Sequence, residues 1–234
     1  MSEQRSPAPA QLADGLWTIH HRDFRAGGLR VGTRSNVLRL ADGSLALHSP
    51  GPLDDAQVDA IRGLGEVSVI LAPNLLHHMF VVRVAEAFAN ARLIVSPGVT
   101  AKQPKLTASE VLGDRLPAAL ADVAEMIVLD GAPKLQERVF FLPASRTLLA
   151  VDLGFNLHGM TGLTWLAMWL NNANDRFVVT RLARSTFIED AAAAGRSVAQ
   201  MLERWDFDRI VVSHGEVLET GGRSALHAAW AWAI

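Results

Sequence analysis

The chain has 234 residues, 22 Lys+Arg against 24 Asp+Glu, 50% hydrophobic residues, no Cys and eight His. That length holds one large domain or two small ones and buries a core without covalent staples. The missing cysteines exclude a disulfide scaffold, thiolate zinc sites, iron–sulfur clusters and a thiol nucleophile, and a net charge of −2 gives no electrostatic case for a nucleic-acid partner.

In chain order, the opening MSEQRSPAPAQ is polar and Pro/Ala-rich with no apolar signal core. It reads as a disordered lead-in over 1–12, ahead of a single domain over 13–234 in a cytoplasmic protein. Strands are expected over 16–20 and 36–40, the second turning through Asp42-Gly43 into 45–48. Ser49-Pro50-Gly51-Pro52 ends that strand. Asp54 or Asp55 can then cap a helix to about Gly63. The apolar run 67–71 is a buried strand ending at Pro73-Asn74, and a helix follows over about 77–89. Further strands are expected over 92–95, 126–129, 137–142, 147–151 and 209–213, with helices over 119–125, 163–170, 188–204 and 224–234. The uncharged stretch 153–174 has a dense apolar part of only eight residues, against about 20 for a membrane span. It reads as core or oligomer contact, so no membrane partner is expected.

Strands that alternate with helices and end in polar residues suggest a layered α/β domain with ligands beyond the carboxyl ends of the strands. Four such ends carry residues able to bind metal or move protons: His48; Asn74 with His77 and His78; Asp152; and His214. Imidazole and carboxylate are the usual ligands of zinc, iron and manganese, and a catalytic site needs about three of them plus an open position. Such an ion activates water near neutral pH. His77 and His78 are neighbours, so on a helix they would point about 100° apart. One can then ligate while the other supports it.

Around these residues the chain resembles the metallo-β-lactamase superfamily. The segments that carry the resemblance are NVLRLADGSLALHSPGP (36–52), GLGEVSVILAPNLLHHMF (63–80), RTLLAVDLGFN (146–156) and WDFDRIVVSHG (205–215). The resemblance implies an α/β, four-layer αββα sandwich with a metal site at one edge between the sheets. Its members carry H-x-H-x-D-H, a further His, a bridging Asp and a final His. Asp152 matches the bridging Asp and His214 the final His. His78 falls on the last His of the motif and His77 on its Asp. The first two motif His are replaced by Pro73 and Leu75. Ser96-Pro97-Gly98 occupies the region of the middle His, and His48-Ser49 replaces an early Asp.

These matches imply metal-assisted hydrolysis of a small ester, amide or phosphoester. His78, Asp152 and His214 would hold the ion, with His77 as fourth ligand or proton shuttle and Asp152 also orienting the water. Two readings stay open: an enzyme with one divalent ion (zinc, iron or manganese), and a degenerate domain without one that binds a small-molecule ligand or a partner. A serine hydrolase is disfavoured, since no G-x-S-x-G occurs and Ser49 and Ser145 read as turn residues. Neither G-x-G-x-x-G nor a P-loop is present. Gly27-Gly28 with Arg25 and Arg34 reads as a hairpin loop rather than an anion site. Trp165 and Trp169 share a helix face, as core or as a homodimer contact. His20, His21, His158 and His227 have no match in the pattern.

Overall fold

A computed structural model describes residues 7–234 of the chain. The first sheet collects β1 (Ala10–Ala13), β2 (Leu16–His21), β5 (Thr33–Arg39), β6 (Leu45–His48), β7 (Val67–Ala72), β8 (Arg92–Val95) and β9 (Glu110–Val111), in that order. A small hairpin, β3 (Arg25–Ala26) and β4 (Leu29–Arg30), projects between β2 and β5. The second sheet has the order β10 (Glu125–Val128), β11 (Arg138–Leu142), β12 (Thr147–Leu149) and β15 (Arg209–Val211). β13 (Phe155–Leu157) and β14 (Arg176–Val178) form a separate pair. The helices are α1 (Asp55–Leu64), α2 (Val81–Ala87), α3 (Val99–Lys102), α4 (Gly162–Leu170), α5 (Arg181–Phe187), α6 (Ala191–Arg204) and α7 (Gly222–Trp230).

The layering follows from the two-residue period of the strands, which sends successive side chains to opposite faces. Leu16, Leu38, Ala46, Val69 and Leu71 point inward and meet Phe140, Leu142, Leu149 and Val211 of the second sheet. Their neighbours Trp17, Val37, Leu45, Leu47 and Ile70 face outward onto Val58 and Ile61 of α1 and Val81 and Val84 of α2. Phe141, Leu148 and Ile210 face outward from the second sheet onto Val198 and Met201 of α6 and Leu226 and Trp230 of α7. Helix, sheet, sheet and helix thus stack as the expected αββα sandwich.

Crossover helices set the strand directions. β6, β7 and β8 run parallel because α1 and α2 carry the chain back between them, and β12 pairs parallel with β15. α1 starts on a capping box, with Asp54 accepting from the Gln57 N–H and the Gln57 side chain accepting from the Asp54 N–H. The ends of β6, β7, β12 and β15 are where the site residues lie.

Several expectations are corrected. Ala10–Ala13 pairs with β2, so the lead-in over 1–12 does not extend that far; residues 1–6 of it lie outside the described residues. Only Ala118–Leu120 of the helix over 119–125 is helical, as a 3-10 turn. Leu120 and Ala124 are drawn into the inter-sheet core, and strand pairing begins at Glu125. The helix expected over 77–89 starts at Val81, because the Asn74 side chain holds the preceding backbone in a turn. The helix over 188–204 starts at Ala191, where Asp190 caps it, and a separate α5 precedes it. No helix among the described residues is long and apolar enough to cross a membrane.

Candidate metal centre

Three of the singled-out residues converge. His77, Asp152 and His214 each offer one ligand atom, and these atoms all lie within 4.8 Å of one another. His77 Nε2 is 3.7 Å from Asp152 Oδ2, and His214 Nε2 is 3.4 Å from Asp152 Oδ1. Both distances exceed the 2.7–2.9 Å or so of a charge-assisted hydrogen bond. They suit a shared ion, since two ligands about 2.0–2.1 Å from one tetrahedral ion stand about 3.3 Å apart.

His214 carries the sharpest constraint. Its Nδ1 lies 2.7 Å from the Gly32 carbonyl oxygen, which can only accept, so Nδ1 carries a proton. In a neutral ring Nε2 is then bare and turned toward the Asp152 carboxylate. A lone pair facing a carboxylate is repulsive unless the ring is protonated or a cation lies between them. The ring is held flat between Phe155, at 5.4 Å and 8°, and Phe24, at 6.4 Å and 22°. Burial would lower its pKa, but Asp152 and the Gly32 carbonyl raise it above the ordinary value.

His77 is positioned by an unusual backbone. Ser49 adopts φ 52°, a left-handed conformation costing roughly 1–2 kcal/mol for a residue with a Cβ. This sets Ser49 Oγ 3.0 Å from His77 Nδ1 and 3.3 Å from Ser213 Oγ. With His77 Nδ1–H donating to Ser49, and Ser49 donating on to Ser213, His77 Nε2 keeps its lone pair for an ion. Burial pulls the His77 pKa down to about 4, against the pull of Asp152. That ring is therefore neutral near pH 7, the form a metal requires.

Asp152 is 6% exposed and tied down from two sides. Asn74 donates from Nδ2 to its Oδ2 at 2.6 Å, while Asn74 Oδ1 accepts the Leu76 and His77 backbone N–H groups. One amide thus fixes the loops that carry two of the three ligands. Behind Asp152, the buried Glu137 carboxylate accepts the N–H groups of Val151, Asp152 and Leu153 at 2.7, 2.9 and 3.2 Å. Burial and then the Asp152 charge push the Glu137 pKa up to about 8, and the N–H bonds oppose the rise. Burial would raise the Asp152 carboxyl as well, but His77, His214 and Asn74 hold it well below its ordinary value.

The other sequence candidates lie elsewhere. His78 does not reach the group; its Nδ1 pairs with Gln103 Nε2 at 2.9 Å, which corrects its expected place among the ligands. The two neighbours point apart, as adjacent positions on a turn require. His48 is 1% exposed, packs edge-on against Phe140 and lies outside the group. Its pKa falls to about 3 through burial and then the nearby His77.

Sequence reasoning missed Glu137, Ser49, Phe24 and Phe155 as parts of the site. Nothing local marks Glu137 within KLQERVFFL. Asn74 was readable as a turn residue after a strand, though not as the partner of a carboxylate 78 positions away. Over the group opens a small cleft of about 170 Å³, walled by Phe24, Thr33, Pro50, Leu76, Met79 and Phe80.

No family model matches the sequence, and no curated protein matches it. Solved structures do match the fold. A metallo-β-lactamase from Pontibacter korlensis superposes with a TM-score of 0.67 at 13% identity, over 95% of this chain and 96% of that one. One from Hirschia baltica gives 0.64 at 12%, over 95% of each chain. FIM-1 from Pseudomonas aeruginosa, a metallo-β-lactamase in its mono-zinc form, gives 0.61 at 14%, over 94% and 93%. At such identities the likeness speaks for architecture alone, and it extends over nearly the whole of each chain: this protein has the metallo-β-lactamase fold.

Proposed function

We propose that the protein is a metal-dependent hydrolase of a small ester or amide, using one divalent ion held by His77, Asp152 and His214. The observation that carries this reading is the convergence of His77, Asp152 and His214, whose ligand atoms all lie within 4.8 Å of one another while the His214 Nδ1 is turned to the Gly32 carbonyl. The donor set fits one ion: two imidazole nitrogens and a carboxylate oxygen suit zinc, iron or manganese, with a further position left for water or substrate. Pro73 and Leu75 supply no side-chain ligand for a second ion.

When bound, a divalent ion supplies Lewis acidity and activates water near neutral pH. The chain's own residues do the rest. Asp152, held by Asn74 and by the backbone that Glu137 grips, directs one oxygen at the ion position, and its Asn74-bound Oδ2 can accept a hydrogen bond that orients an attacking water. Ser49 anchors the His77 ring through Nδ1 and leaves Nε2 turned to Asp152, and Phe24 and Phe155 keep the His214 ring from turning. Phe24, Phe80, Pro50 and Met79 exclude bulk water and fit a small apolar acyl or alkyl group. Among the described residues the cleft lining carries no Lys or Arg, so a neutral ester or amide suits it better than a phosphoester.

The test is hydrolysis of a panel of small nitrophenyl esters and anilides by the zinc-, manganese- and iron-loaded chain. Activity lost to chelator, and lost in both His214→Ala and Asp152→Ala while folding is kept, supports the reading. A second reading rests on Pro73 and Leu75: a degenerate member of the fold that binds a ligand in the same cleft. A chain that still folds but shows neither metal binding nor turnover of any ester or amide favours it.

A further inference from the structure

α4 is apolar on nearly every side. Its sequence GLTWLAMWL has no charge, and only Met168 is buried. Leu163 is 80% exposed and Trp169 59%, with Trp165, Leu166 and Leu170 also exposed, and Leu182 of α5 is 62% exposed beside them. The Trp165 and Trp169 rings stack on each other at 6.3 Å rather than on the body of the protein. A helix apolar all round belongs in an apolar medium. Nine residues rise only about 14 Å, under half of a roughly 30 Å hydrocarbon core, so this helix can lie in a bilayer surface but not cross it.

Cations ring this face. Arg181 donates to the Leu170 carbonyl and Arg176 to the Asn172 carbonyl, which places both guanidinium groups at the carboxyl end of α4. Arg184 lies close by, over the Trp232 ring. Among the described residues none of these three has a carboxylate within 4 Å. Arg30 flanks the amino end, where its backbone N–H donates to Thr164 Oγ1 and its guanidinium lies 3.8 Å from the Asp23 carboxylate. A second copy docked through this face with its helix parallel would set the three carboxyl-end arginines against their own copies. An anionic surface matches the three arginines at the carboxyl end, and tryptophan suits the boundary between headgroups and acyl chains.

We propose that α4 and Leu182 form a shallow docking surface for an anionic lipid bilayer, with Arg30, Arg176, Arg181 and Arg184 meeting the headgroups. The expectation of no membrane partner rested on the lack of a span, which an interfacial helix does not need. The face also adjoins the candidate metal centre. Met168 and Ala167 share a hydrophobic cluster with Phe24 and Phe155, the two rings that hold His214.

The experiment is co-sedimentation of the full chain with vesicles of phosphatidylglycerol and phosphatidylcholine in equal parts, and of phosphatidylcholine alone, with tryptophan emission recorded. Binding to the anionic vesicles only, with a blue shift and with weakening in high salt, is expected. Each arginine near an anionic surface contributes about a factor of five, so Arg176→Gln/Arg181→Gln/Arg184→Gln should bind about a hundredfold more weakly. Trp165→Ala/Trp169→Ala should abolish the blue shift, and brominated lipids should quench the unmodified chain. Three results would overturn the proposal: no binding to anionic vesicles, equal binding to neutral ones, or no quenching. So would a dimer in sedimentation equilibrium that the tryptophan variant turns into a monomer, since a second copy would then cover the face.

Discussion

At the residue scale, each member of the candidate metal centre has one atom engaged and another left for an ion. His214 gives Nδ1 to Gly32, His77 gives Nδ1 to Ser49, and Asp152 receives Asn74 on one oxygen. Glu137 sets the frame for all of this through its three N–H bonds to residues 151–153. Glu137→Gln keeps the shape but turns an amide N–H₂ toward backbone N–H donors. It should lower unfolding stability by roughly 2–3 kcal/mol and weaken metal affinity about 10–100-fold. Urea unfolding and metal titration of the same variant check both; unchanged metal affinity would show that Glu137 does not position Asp152. Of the candidate site, Asp152 and His214 stand out in the sequence because they follow strands in the order the resemblance demands, whereas His77 is given there only a supporting place, as fourth ligand or proton shuttle. The exclusion of His78 was not legible, since it depends on a turn that Asn74 holds with its side chain. Ser49 and Glu137 act through contacts 28 and 14 or more positions away, which no local pattern reports.

At the element scale, the period-two strands made most of the sandwich readable in advance. Buried β7, β8 and β11 are near-continuous apolar runs, and α1 announces itself with Asp54 and Gln57. Elements with two or three paired residues, such as β3, β4, β9, β13 and β14, carry too little pattern to read and exist through tertiary contacts. The chain's close approaches follow the same logic. Gly215, at φ 104°, sits where a Cβ would meet the Asn156 carbonyl, across the bridge that ties β13 to the His214 loop. Gly195 lies inside α6, where alanine would gain about 1 kcal/mol in a free helix. Here its Cβ would collide with the Ala233 carbonyl. Gly195→Ala should therefore lower the melting temperature, read by circular dichroism; a rise would mean that the chain end does not pack on α6 as described.

At the scale of the whole molecule, two imidazoles that line a cleft of about 940 Å³ together with Arg34, Asp54 and Glu216 couple stability to pH. Burial and then Arg34 lower the His20 pKa to about 3, and burial lowers the His21 pKa to about 4 against Asp54. In the unfolded chain both return to about 6.5. Between these limits the unfolded state binds protons that the folded state refuses, so stability is full above pH 6.5 and falls as the pH drops toward 4. The slope should be roughly 1 kcal/mol per pH unit for each ring after allowance for screening. His48 and His77, also held neutral by burial, add to the same slope, so His21→Gln, which can keep the contact with Ser35, should remove about a quarter of it in urea unfolding between pH 7 and 5. An unchanged slope would place the pH dependence elsewhere.

The proposed chemistry depends on one ion seated between His77, Asp152 and His214. Titration of chelator-treated protein with zinc, read by isothermal calorimetry near pH 7, tests it directly. One ion per chain is predicted for the unmodified protein, with binding lost in Asp152→Ala and retained in His78→Ala. No binding, two ions per chain, or loss of binding in His78→Ala with full retention in Asp152→Ala would contradict the assignment.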